Sequence, residues 1–210
     1  MKDVELLVAS YQNGCQVLGP GKRFVIWVQG CPFSCPGCIA QSMKSLDGGT
    51  LVSVCSLAET ILNTPGLEGI TVSGGEPFLQ AEELSVLFSE IRQKSNLGII
   101  VYTGFYYEQL KQMELQFPEI GQMLSQIDML IDGPYVAEQN FDYGWKGSVN
   151  QKNYLLTDRY RDDLYLYEEN TSRKIEIYPD DRGTFMAGVP SRHIEKQWKK
   201  TCKYPGKALC

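Results

Sequence analysis

The chain has 210 residues, a formal net charge of −5 and 43% hydrophobic residues, which predicts a globular cytoplasmic protein and argues against a general nucleic-acid binder. No apolar run approaches the ~20 residues that a membrane-spanning helix needs, and no secretory signal follows Met1, so we expect no membrane partner. Seven cysteines, an odd number with three of them clustered, fit a reducing compartment better than a disulfide framework.

The first predicted elements lead to a cysteine-rich loop. An opening strand is predicted over residues 4–10, and Asn13-Gly14 and Gly19-Pro20-Gly21 then break it with residues that suit turns. Residues 24–28 are apolar at every position, as in a strand that is covered on both faces. The cysteine loop therefore follows the carboxyl end of an inner strand.

Three cysteines, Cys31, Cys35 and Cys38, stand on this loop with C-x3-C-x2-C spacing. The prolines and the glycine between them favour a turning path on which the three sulfurs can converge. A structural zinc site needs four protein ligands, whereas a cubane iron–sulfur cluster held by three thiolates leaves one iron open to a small molecule. The spacing favours the open cluster, and zinc or three unligated thiols are the alternatives.

A glycine turn forms the second motif. A helix with a capping box at residues 56–59 is expected to run to about Asn63, where Pro65-Gly66 closes it, and a strand at residues 69–73 then runs into Gly74-Gly75-Glu76-Pro77. Residues without a Cβ let the backbone approach a ligand, so that carbonyls and a carboxylate can accept hydrogen bonds from a cationic amine. The alternative is an ordinary turn with a proline at a helix start. The helix that follows has one apolar face, made of Leu84, Leu87, Phe88 and Ile91.

Two further strands complete the predicted sheet. The strand at residues 98–102 ends at Thr103, the strand at residues 128–131 ends at Asp132, and the helical stretch between them is interrupted at Pro118. Strands that alternate with helices predict a parallel sheet or partial barrel whose carboxyl-end loops build the site. By that rule Thr103 and Asp132 face the same mouth as the cysteine loop. The alternative is that both side chains cap turns.

The C-terminal extension, residues 152–210, has fewer signals. Residues 174–178 and 184–189 alternate like the two strands of an added hairpin rather than a second domain. His193 lies in a polar stretch and is expected to be solvated, and Cys55 is expected to pack. Cys202 and Cys210 alone cannot make a second metal site.

The order of short motifs resembles one family. From Gly19 to Gln151 the chain contains GPG-x-R, CPxxCPGC, SGGEP, YTG, DGPY and WKGSVNQ, an order similar to that of the anaerobic ribonucleotide reductase activating proteins. These proteins are glycyl-radical-enzyme activases of the radical S-adenosylmethionine (SAM) superfamily. That superfamily usually has an aromatic residue where this chain has Gly37, but the sequence CPGC is shared with the activating proteins.

The resemblance implies a fold and a site. The fold would be a single α/β domain over residues 1–210, a partial (β/α) barrel of the radical SAM type with its core at about residues 19–151 and a C-terminal β-hairpin extension. The implied cofactors are SAM and a [4Fe-4S] cluster with three cysteine ligands and an open iron. The implied cluster ligands are Cys31, Cys35 and Cys38. The implied SAM-binding residues are Gly74, Gly75, Glu76, Thr103 and Asp132.

The implied reaction is reductive cleavage of SAM to a 5′-deoxyadenosyl radical, which would generate the glycyl radical of anaerobic ribonucleotide reductase. The partners would be that reductase subunit, as protein substrate, and a flavodoxin- or ferredoxin-type reductant. Two alternatives stay open: a radical SAM enzyme for another peptide or small molecule, and a non-enzymatic iron–sulfur electron carrier or zinc module. The glycine turn argues against the last, since a carrier has no use for an amine-binding turn.

Overall fold

A seven-stranded sheet forms the centre of the protein. The computed structural model describes residues 4–142, 144–164, 173–180, 183–201 and 208–209. The strands of the sheet are β1 (Glu5–Cys15), β2 (Arg23–Val28), β3 (Thr50–Ser53), β4 (Gly69–Gly74), β5 (Gly98–Tyr102), β6 (Met129–Asp132) and β7 (Lys152–Leu155). Their order is β3-β1-β2-β4-β5-β6-β7.

The four inner strands β2, β4, β5 and β6 are parallel, while β1 pairs antiparallel with β2 and β3, and β7 pairs antiparallel with β6. This confirms the predicted α/β fold and the four inner strands. The closure of the sheet into a barrel of the radical SAM type, and the division of the chain into one domain, stay predictions.

Helices cover one face of the sheet. They are α1 (Val54–Leu62), α2 (Ala81–Lys94), α3 (Tyr107–Met113) and α4 (Pro118–Leu124). The predicted apolar face of α2 is fully buried and belongs to the same hydrophobic core as Phe24, Ile26 and Val28 of β2. Pro118 is the first residue of α4, where its missing N–H costs nothing, so the predicted interruption is confirmed. None of the helices in the described ranges is long and apolar enough to cross a membrane.

Three local predictions near the start of the chain were wrong. The opening strand does not break at Asn13-Gly14, because a register shift between Asn13 and Cys15 absorbs the glycine, whose φ is +82°. Helix α1 begins before the predicted capping box, since Ser53 at the end of β3 caps it by accepting a hydrogen bond from the Ser56 N–H. Cys55 consequently lies exposed on α1 and does not pack in the core as predicted.

The C-terminal hairpin packs on the other face of the sheet. Strands β8 (Ile175–Asp180) and β9 (Gly183–Gly188) pair antiparallel, which confirms the predicted hairpin, and β10 (Ala208–Leu209) pairs parallel with β9. Phe185 meets Trp27 of β2 edge to face, with ring centroids 6.0 Å apart. The helix α5 (Arg192–Thr201) follows, and His193 on it is exposed as predicted. Cys202 and Cys210 lie outside the described residues.

A buried arginine braces the amino ends of the parallel strands. Arg23 has no exposed surface, and its guanidinium donates to the carbonyls of Pro20, Ile70 and Gly98 and to the hydroxyls of Thr71 and Tyr160. Burial lowers the pKa of Arg23, and the hydrogen bonds compensate for the lost hydration. The arginine of the GPG-x-R segment therefore lies at the end of the sheet opposite to the cysteine loop.

Candidate functional site

The predicted site residues gather at the carboxyl edge of the parallel strands. Strand β2 leads into the cysteine loop and β4 into the glycine turn, and the parallel register places Val28 opposite Gly74. Thr103 directly follows β5, and Asp132 is the last residue of β6, at the same edge. The βαβ connections that the sequence predicted therefore bring these loops side by side.

The three thiols of the loop are half-buried, and each influences its neighbours. Burial raises the pKa of the Cys31 thiol to about 11, and the nearby charges of Glu76, Cys38 and Cys35 add to the effect. Burial also raises the pKa of Cys38, again with a contribution from Cys35. The Cys31 and Cys38 thiols would therefore have to lose their protons on binding iron.

The cysteine loop offers three sulfur donors, one fewer than a structural zinc site takes. Within the described parts of the chain, no group of three or more His, Cys, Asp or Glu side chains is arranged to hold one ion. A zinc ion draws all its ligands to one centre, whereas a cubane spreads its thiolates over separate irons. Three half-buried thiols on one loop therefore fit an open cluster better than a zinc ion.

Two backbone hydrogen bonds join the glycine turn to the end of β2 and the start of the cysteine loop. The Gly75 N–H donates to the Val28 carbonyl and the Glu76 N–H donates to the Gly30 carbonyl, both at 2.8 Å. A Cβ on Gly75 would overlap the Gly30 carbonyl oxygen, and a Cβ on Gly74 would lie 2.7 Å from backbone atoms of Val28. In this structure the missing Cβ atoms make room for the neighbouring strand, a reason that sequence reasoning did not supply.

The Glu76 carboxylate is fully buried and holds two strand ends together. It accepts hydrogen bonds from the Phe78 N–H (3.0 Å), the Thr103 hydroxyl (2.8 Å) and the Gly104 N–H (2.7 Å). Glu76 and Thr103, predicted separately, therefore touch. Burial raises the pKa of Glu76 to about 7, although the three hydrogen bonds act to lower it.

This raised pKa predicts how Glu76 affects stability with pH. Between its ordinary value of 4.5 and about 7, the folded protein retains a proton that the unfolded chain has lost. The contribution of Glu76 to the free energy of unfolding is therefore full below about pH 4.5 and falls as the pH rises to about 7. Glu76→Gln does not titrate, so the stability of wild type relative to this variant should decline over that range. Denaturant unfolding of both proteins at several pH values measures the decline, and a difference that is constant or grows with pH would contradict it.

Asp132 is also buried, and it ties two other elements. Its carboxylate accepts from the Tyr107 N–H at the start of α3 (2.8 Å) and from the Lys152 N–H of β7 (3.0 Å). Burial raises the pKa of Asp132. This geometry matches the capping alternative, and a contact of Asp132 with SAM stays a prediction.

Side chains of the WKGSVNQ motif hydrogen-bond to the turn after β6. The Gln151 side chain accepts from the N–H groups of Gly147 (2.7 Å) and Ser148 (3.1 Å) and donates to the Gly133 carbonyl (2.8 Å), while the Asn150 amide donates to the Pro134 carbonyl (2.8 Å). Trp145, the first residue of the motif, is buried. The sequence analysis singled out this motif without predicting that its amide side chains hydrogen-bond to a turn. Two adjacent amide residues, Asn150 and Gln151, were the signal that could have indicated it.

An aromatic contact seats the cysteine loop. Phe33 lies between Cys31 and Cys35, and its ring meets that of Phe105 edge to face at 4.9 Å. A Cβ on Gly104 would come within 2.6 Å of the Phe33 ring, so the glycine of the YTG motif provides the seat. The loop between the first two thiols is thus fixed to the end of β5.

A pocket opens beside the third cysteine. It has about 540 Å³ of empty space, its open mouth included. On the sheet side it is lined by Cys38, Tyr102, Tyr135, Trp145 and Gln151. On the other side it is lined by Val189, Pro190 and Glu195, from the C-terminal extension.

The cysteine loop and the glycine turn that is hydrogen-bonded to it lie inside the part of the chain that matches a family of iron–sulfur proteins. The family model described as "4Fe-4S single cluster domain" matches residues 17–154. The chain is 33% identical over 147 residues to the anaerobic ribonucleoside-triphosphate reductase-activating protein of Enterobacteria phage T4. This alignment covers 68% of the chain and 89% of the relative. It is 33% identical over 153 residues to the protein of that name from Vibrio cholerae, and this alignment covers 67% of this chain and 92% of the relative.

The chain therefore belongs to the family of anaerobic ribonucleoside-triphosphate reductase-activating proteins. It is also 32% identical over 93 residues, 43% of this chain and 36% of the relative, to a putative glycyl-radical enzyme activating enzyme of Haemophilus influenzae. These matches confirm the resemblance and the expectation of a 4Fe-4S domain. The hairpin β8–β9 and α5 lie beyond the residues that the family model matches.

Proposed function

We propose that this chain is a radical SAM activase that generates the glycyl radical of an anaerobic ribonucleotide reductase in the cytoplasm. The observation that carries the proposal is the direct bonding of the cysteine loop to the glycine turn, inside the stretch that matches the 4Fe-4S domain. The names of the relatives supply the protein substrate. The partial barrel of the radical SAM type belongs to this proposal.

Cys31, Cys35 and Cys38 would hold a [4Fe-4S] cluster, which leaves one iron open because the loop offers three thiols. When bound, the cluster would supply one electron for the cleavage of SAM to methionine and a 5′-deoxyadenosyl radical, and a flavodoxin- or ferredoxin-type donor would replace that electron. The products would be 5′-deoxyadenosine and the glycyl radical, with one hydrogen atom moved from the Cα of the target glycine.

The residues of this chain bind and orient SAM. Gly74, Gly75 and Glu76 would meet the amine of SAM, with the backbone of the turn as acceptor, because protein donors already engage the Glu76 carboxylate. Thr103 would act by orienting Glu76, and Asp132 by fixing the start of α3 beside the mouth. The aromatic lining of the pocket would exclude water from the radical.

Anaerobic reconstitution with iron and sulfide tests this function. We expect the reduced protein to convert SAM into equal amounts of methionine and 5′-deoxyadenosine. We also expect a glycyl radical signal in electron paramagnetic resonance once the anaerobic reductase subunit is added. An air-stable, colourless protein that contains stoichiometric zinc, or a cluster-loaded protein that leaves SAM intact, would contradict the proposal. SAM cleavage without a radical on the reductase would indicate another peptide or small-molecule substrate.

A further inference from the structure

The C-terminal extension supplies one wall of the pocket beside Cys38. Val189, Pro190 and Glu195 line that wall, and all three lie beyond the matched family domain. The hairpin that leads to the wall is buried against the sheet, with Phe185 on Trp27 and with Met186 and Ala187 fully buried. The wall is therefore an integral part of the fold.

A buried arginine fixes the position of this wall. The guanidinium of Arg173 donates to the Pro190 carbonyl (3.1 Å), to the Asn140 side-chain oxygen (3.4 Å) and to the Lys146 carbonyl. It also lies over the Phe141 ring, 5.3 Å from the centroid. A buried guanidinium needs such partners, and here they join the wall to the loop that carries Trp145.

The lining of the pocket favours a cation. Three aromatic side chains, Tyr102, Tyr135 and Trp145, line the sheet side, and Glu195 lines the wall. Among the described residues around this pocket, Glu195 is the one carboxylate, and neither Lys nor Arg lines it. Aromatic faces combined with a carboxylate favour a compact cation that has apolar substituents, such as a sulfonium or an alkylated ammonium.

We propose that Glu195 and this aromatic lining form a cation-selective subsite that receives the sulfonium of SAM. The C-terminal extension then takes part in recognising the cosubstrate, a role that the matched domain alone does not provide. This inference rests on the proposed function. Within that function Glu195 is a specificity-determining residue, because it distinguishes a sulfonium from a neutral sulfur.

The affinities of the reconstituted protein for SAM and for S-adenosylhomocysteine test the subsite. The second ligand keeps the amine, the carboxylate and the adenosine but has a neutral sulfur, so the ratio of the two affinities reports on the sulfonium. We expect Glu195→Gln, which keeps the shape of the side chain, to lower the preference for SAM by about tenfold through lost affinity for SAM. Glu138→Gln is the matched control, since Glu138 is exposed on a neighbouring loop and does not line the pocket.

An unchanged ratio in Glu195→Gln, or equal weakening of both ligands, would overturn the subsite while leaving the proposed function intact, provided that wild type binds and cleaves SAM. A cluster-loaded wild-type protein that binds neither ligand would overturn both. A fall in the ratio in Glu138→Gln as large as in Glu195→Gln would also overturn the subsite, because the effect would then come from the overall charge.

Discussion

Alanine at Cys31, Cys35 or Cys38 should each reduce the cluster content of the reconstituted protein to near zero. Two thiolates cannot hold a cubane securely, and the described residues place no other ready group of ligands at this loop. Cys55→Ala should retain full cluster content, because Cys55 is exposed on α1 and outside the loop. Iron and sulfide analysis after anaerobic reconstitution measures both results. Full occupancy in any of the three loop variants, or loss in the Cys55 variant, would show that the ligands are misassigned.

Gly75→Ala should lower both the stability and the cluster content. The added Cβ would overlap the Gly30 carbonyl oxygen, which is backbone and cannot move aside as a flexible side chain can. Forcing an extra carbon into a packed site costs about 1–3 kcal/mol, and here the displaced residue directly precedes Cys31. We therefore expect a loss of about 3 kcal/mol in the free energy of unfolding, together with incomplete loading of the loop.

Gly121→Ala is the matched control for this substitution. Gly121 lies within helix α4, and its nearest neighbour is the Glu114 carboxylate, 3.3 Å from the added Cβ, at the end of a movable side chain. Alanine favours a helix over glycine by about 1 kcal/mol, so this variant should be as stable as wild type or more stable. Chemical denaturation compares the two variants, and iron analysis compares their loading. Equal stability of Gly75→Ala and Gly121→Ala would contradict the close packing of the turn.

Much of the fold followed from local patterns. The apolar runs of β2, β4, β5 and β6 and the apolar face of α2 are features of short stretches, and the structure confirms them. The parallel order of these strands then placed the loop and the turn at one edge. The predicted start of α1 was wrong because Ser53, the last residue of β3, occupies the cap position that the sequence pattern assigned to Ser56.

The roles of several polar side chains could not be predicted because their partners are distant in sequence. Arg23 bonds to Tyr160, which is 137 residues away, and Thr103 bonds to Glu76 across two strands. The buried Glu76 carboxylate accepts hydrogen bonds from within the protein, including one from the Gly104 N–H, which the glycine motif did not indicate, and its contact with a ligand amine stays a prediction. Local patterns therefore located these residues along the chain but could not indicate the partners that each side chain contacts.

The hydrogen-bond network of Arg23 and the candidate site lie at opposite ends of the parallel strands. The guanidinium ties together the amino ends of three parallel strands, whereas the thiols, the glycine turn and the pocket lie at their carboxyl ends. Loops anchored on such a rigid base can change in length and composition during evolution without unfolding the sheet. A lineage could therefore exchange the segment that covers the mouth, and with it the molecules admitted, while inheriting the same foundation.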